Sequence, residues 1–132
     1  MKNILIVATL AILTTCQNQA SVNTGLPVQE INAVVYGDRL PADGCGSHLW
    51  LEFASPSSDS RTYMRLPTQA TRTLMDEVVK AELAKQPAGM LWMGKKEVII
   101  RYRDVDQTAT LTCGWGKRQE LKTVELLSLR AR

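Results

Sequence analysis

The chain has 132 residues, 22% of them charged, and a formal net charge of +3. This length suits one domain with a modest core, and so small a charge gives no footprint for a nucleic-acid partner. Three cysteines and a single histidine narrow the metal and nucleophilic chemistry open to it.

The chain begins MKNILIVATLAILTTC. Lys2 precedes an apolar run from Ile4 to Leu13, broken only by Thr9. That run falls short of the about 20 residues needed to span a bilayer as a helix. A charged start, a short apolar run and then small residues read as a secretory signal. Leu13-Thr14-Thr15-Cys16 resembles a bacterial lipobox. The resemblance implies cleavage before Cys16, diacylglycerol on its sulfur and acylation of its new amino group. One acyl chain anchors only marginally and two or more anchor stably. Gln17 in place of Asp implies, by the same resemblance, the outer membrane. The alternatives are a secreted chain cut nearby, as after Ala20, and a chain that is not exported. The expected organisation is a signal peptide over 1–15, a lipidated N-terminus and polar tether over 16–29, and one domain over 30–132. Loss of Lys2 with the signal lowers the net charge from +3 to +2.

Within the domain, EINAVVYG (30–37) reads as a strand ended by Gly37-Asp38 and Pro41. SHLWLEFA (47–54) alternates, with Leu49, Leu51 and Phe53 on one face and His48, Trp50 and Glu52 on the other. SPSSDS is a turn by composition, and RTYMRLP (61–67) returns as the hairpin partner. The period then becomes helical, with Leu74, Met75, Val78, Val79 and Leu83 on one face. Thr68 or Thr71 is the candidate cap, and Pro87 and Gly89 close the segment. Met90-Leu91-Trp92-Met93 reads as the helix packing into the core, or else as an exposed apolar patch. KEVIIRYRDV (96–105) is a strand rich in β-branched residues. Asp106-Gln107 is expected to turn into TATLTC (108–113), and LKTVELLSLRA (121–131) to form the last strand.

The expected order is β-β-β-α-β-β-β, mainly β with one helix. It resembles an OB-type small antiparallel barrel whose helix plugs one end, with 108–113 as an extra hairpin strand. An α+β sheet with one packed helix is the alternative. Cys45 and Cys113 sit in DGCGS and TCGWG, each before a glycine that permits a tight turn. In an oxidising envelope such a pair is most simply a disulfide. Closing the loop between them would constrain the unfolded chain by about 4 kcal/mol on the chain-entropy model. DGCG after a first strand, the alternating strand, VIIRY, the second CG and a terminal VELLSL resemble a group of small Gram-negative envelope lipoproteins over residues 30–130. The resemblance implies the same disulfide and barrel and supplies no catalytic residues.

The chemistry-bearing residues are sparse. His48 with Cys45 and Cys113 makes three ligands where structural zinc takes four, so no metal and no cofactor is expected. Ser47 and His48 are strand neighbours pointing to opposite faces, which argues against a dyad. Asp38, Asp43, Asp104 and Asp106 fall in or near turns, where turn chemistry accounts for them. A binding surface is the stronger functional expectation: His48, Trp50, Arg101 and Arg103 face outward, and Trp115 lies in a turn beside Lys117 and Arg118. An aromatic with arginines on a barrel suits a protein or glycan partner. The envelope address argues against single-stranded nucleic acid, which OB barrels can also bind. The leading expectation is a non-enzymatic lipoprotein, a binding or accessory module held to a membrane through Cys16. The alternatives are an inhibitor or immunity-type protein against an envelope enzyme, and an enzyme of unknown class.

Overall fold

A computed structural model of the chain describes residues 26–132. Five strands close into a barrel in the order β1-β2-β3-β5-β4: β1 (Gln29–Tyr36), β2 (His48–Leu51), β3 (Met64–Pro67), β4 (Lys95–Thr112) and β5 (Arg118–Ala131). The helix α1 (Arg72–Ala84) lies between β3 and β4. The strand order, the helix position and the parallel pairing of β3 with β5 are those of a small OB-like barrel. The expected fold class holds, and the open α+β sheet does not.

Period-two alternation builds the wall. Ala33 and Val35 of β1, Leu49 and Leu51 of β2, Val98, Ile100 and Tyr102 of β4, and Val124 and Leu126 of β5 turn inward as one buried cluster. Burying each valine, leucine or isoleucine side chain among them contributes about 1.5–3 kcal/mol. The helix closes one end. Met75 is fully buried in the cluster, with Leu74, Val78 and Val79 packed beside it. Leu83, expected on the same stripe, is partly exposed. Thr71 is the N-cap by position, yet its hydroxyl accepts from Leu126 N at 3.1 Å, so it ties the helix start to β5. Trp92 is buried in the same cluster. Its carbonyl and indole fill the space where Gly37 would carry a Cβ, so that position admits only glycine without movement. The Met90–Met93 segment is therefore split, with Trp92 in the core and Met90, Leu91 and Met93 outside.

Three expected boundaries are corrected. No turn separates 96–105 from 108–113, and β4 runs unbroken through both. The ladder with β5 loses register between Asp104 and Thr108 and then resumes from Thr108↔Lys122 to Thr112↔Arg118. Asp106-Gln107 thus lies in a bulge, which bends a strand without ending it. The reversal comes at Cys113–Lys117, and six expected strands become five. The second strand spans only four residues, because Glu52 and Phe53 leave the ladder. Residues Ser60–Thr62 form a 3-10 turn capped by the Asp59 carboxylate, so β3 begins only at Met64.

Candidate functional site

Beyond the bulge, β4 and β5 form a two-stranded arm. Its Thr108, Thr110, Thr112, Arg118, Glu120 and Lys122 are exposed. Its other face carries Leu111, Cys113 and Leu121, which pack with Met64 and Leu66 of β3 as a second buried cluster; Trp50, Cys45 and Ala109 border it. The arm thus covers the outer face of β2 and β3, the surface on which OB barrels commonly hold ligands. The loop 37–47 meets the end of the arm. A disulfide joins Cys45 to Cys113. Gly46 N donates to Thr112 O at 2.9 Å, and Gly114 N donates to Gly44 O at 2.8 Å. A Cβ on Gly114 would sit 2.6 Å from Asp43 Cα, so glycine is what lets the two loops approach.

The covered face carries a row of rings. His48 stacks on Tyr36 with centroids 5.1 Å apart. Tyr36 meets Trp50 edge-on at 6.4 Å, and Trp50 stacks on Tyr63 at 5.0 Å. Past the end of β2, Phe53, which packs against the interior cluster, leans on Tyr63 at 6.4 Å and lies under the Arg65 guanidinium. Arg39 lies over Tyr36 at 4.9 Å and donates through Nε to Met93 O at 2.8 Å. The register Tyr36↔His48 and Val34↔Trp50 builds this row from alternate positions of paired strands.

His48 does point away from the barrel interior, as alternation requires, but it is not a surface or rim residue. Only 7% of it is exposed. Its Nδ1–H donates to Gly46 O at 2.8 Å, which fixes the tautomer of the neutral ring. Burial pushes its pKa below the usual 6.5, the bond to Gly46 pulls it up, and nearby Arg39 lowers it further. Trp50 is likewise half-buried under the arm instead of presented to solvent. Arg101 is exposed on the outer side of β4 opposite Glu30 of β1. Arg103 pairs with Glu125 at 3.5 Å. Tyr36 and Glu30 are separated along β1 by roughly 20 Å at strand rise, so the two arginines do not join the aromatic row.

Trp115 is the expected residue that remains available. It is 91% exposed, the most exposed large apolar side chain among the described residues. Its backbone is left-handed, φ 62° and ψ 26°, between Gly114 and Gly116. That conformation costs a non-glycine residue about 1–2 kcal/mol. The clamp holds it: Cys113 N donates to Lys117 O at 2.7 Å, and the disulfide and Gly114 fix the other side. Asp43, across the clamp, is left-handed as well. Tyr36, Tyr63, Arg39 and the covering role of the arm escaped the sequence reading. Tyr36 ends a legible strand and could have been found by pairing it with His48; Tyr63 sits between the 3-10 turn and β3 and carries no periodic signal.

Among the described residues, no group of three or more His, Cys, Asp or Glu is placed to hold a metal ion, and no helix is long and apolar enough to cross a membrane. Cys16 and the signal-like run lie outside the described residues. No family model, curated protein or solved structure matches the chain.

Proposed function

We propose that the chain is a non-enzymatic lipoprotein of the cell envelope, an accessory binding module whose disulfide-clamped barrel presents Trp115 to a partner. The observation that carries the reading is that indole. It is almost fully exposed on strained backbone that a disulfide and three loop hydrogen bonds hold in place. Strain kept in this way is characteristic of functional sites. The envelope address rests on the lipobox-like Leu13-Thr14-Thr15-Cys16, and the outer membrane on Gln17. The disposition of His48 supports a binding role over a catalytic one. A base that is buried, neutral and bonded to a backbone carbonyl is poorly placed to take a proton from a substrate.

Two measurements test this. Radioactive palmitate should label the chain and fail to label Cys16→Ala; label that survives the substitution overturns the anchor. A pull-down from envelope extract, membrane vesicles included, should retain envelope material with the wild type and lose it with Trp115→Ala. A second reading, an inhibitor or immunity-type protein, is favoured by the rigidity of the same clamp, which pre-organises a loop for docking. It requires the pull-down to yield one envelope hydrolase in near-equal amount.

A further inference from the structure

The loop 37–47 sits between two other loops. On one side Gly37 N donates to Gly94 O at 2.9 Å, and Arg39 Nε donates to Met93 O. On the other side lies the clamped tip with Trp115. The three loops therefore adjoin, and between them they carry Met90 (56% exposed), Leu91, Met93 and Trp115, the largest apolar side chains left in solvent among the described residues apart from Leu26, Val28 and Leu83. Cations follow directly on these loops. Lys95, Lys117 and Arg118 are exposed, and among the described residues none of them forms an ion pair within 4 Å. Two carboxylates are nearby, Asp38, which accepts from Leu40 N at 3.0 Å, and Asp43.

We infer that this end of the barrel docks on the surface of an anionic phospholipid bilayer. The inference rests on the envelope reading above and names the chemistry of its partner. Apolar side chains on separate loop tips, flanked by Gly89, Gly94, Gly114 and Gly116 and by unpaired cations, offer no flat platform with a sealing rim of the kind that protein hot spots occupy. They suit a soft interface instead. Indole rests at headgroup level, Met and Leu enter the acyl boundary, and lysine and arginine meet lipid phosphates. Positive charge supplies the complementarity. The chain enters β1 at Gln29, the far end of that strand from Tyr36 and this surface. Residues 17–28, extended, reach roughly 40 Å, and β1 is only about 26 Å long at strand rise. The tether is thus long enough for the docking end to lie on the membrane that would hold Cys16.

The test uses the full chain purified from membranes and reconstituted into phosphatidylcholine vesicles with or without phosphatidylglycerol, each with brominated acyl chains that quench nearby indole. Tryptophan emission should fall in the vesicles containing phosphatidylglycerol, by the Trp115 share. The fall should vanish in Trp115→Ala, shrink in Leu91→Ser, and diminish with Lys117→Ser or high salt. Unquenched wild-type emission, or equal quenching in Trp115→Ala, overturns the inference. So does a protein partner held in near-equal amount through Trp115 without quenching. Palmitate labelling of the same preparations reads the anchor separately. Labelled but unquenched protein overturns the docking surface alone, whereas quenched but unlabelled protein supports the docking surface and overturns the anchor.

Discussion

At the scale of the residue, His48 and Trp115 show two opposite uses of a ring. His48 is buried, so its charged form is disfavoured and its folded pKa lies below the unfolded value near 6.5. The unfolded chain then binds more protons than the folded one in acid, and stability falls as pH drops below about 6.5. Urea unfolding at pH 7.5 and pH 5 should show this loss, and His48→Phe, which keeps a ring against Tyr36, should reduce it. An unchanged pH profile in His48→Phe would mean other groups carry it. Trp115 is held at φ 62°, so Trp115→Asn, which tolerates that backbone better, should raise stability by about 1 kcal/mol. The same variant should lose partner binding. That His48 points away from the core was legible from the alternation of Leu49 and Leu51. Its burial was not, because the groups that meet it, Tyr36, Arg39 and Gly46, come from β1 and the loop 37–47, which alternation along β2 does not show.

The elements differ in how far the sequence announced them. Strong β-branched runs such as Val98-Ile99-Ile100 and the helical stripe of Met75 and Val79 each state their period locally, and both appear where expected. The break expected at Asp106-Gln107 does not appear, because polar residues serve a bulge as well as a turn. What decides between the two is the partner strand, which no local pattern shows. The arm also depends most on its clamp. The chain-entropy model assigns the Cys45–Cys113 link about 4 kcal/mol, spread over a sequence separation of 68 residues. The double variant Cys45→Ala, Cys113→Ala should therefore lower the midpoint of thermal unfolding. Its amide exchange should rise first over 108–121, ahead of the barrel strands. Uniform loss of protection would show that the arm and barrel unfold as one unit.

For the whole molecule, the two clusters divide the work. The interior cluster holds the barrel and the helix together, while the smaller one seals the arm over β2 and β3. The candidate surface lies on neither; it is built from the loops that the clamp leaves exposed. Cysteine count and the glycines after Cys45 and Cys113 made the clamp legible, and Trp115 with it. The joining of Met93, Arg39 and Gly44 into one surface was not legible, since it depends on contacts between loops distant in sequence. The parallel pairing of Leu66 with Thr123 sets the order in which the barrel can form. β5 comes last among the described strands, yet it lies between β3 and β4. Deleting 118–132 should leave a chain without protected amides, and a folded truncation would contradict this topology. Contacts of such long sequence separation slow folding. A nascent polypeptide therefore has no closed barrel until β5 has emerged, so the strands made first wait for one made later.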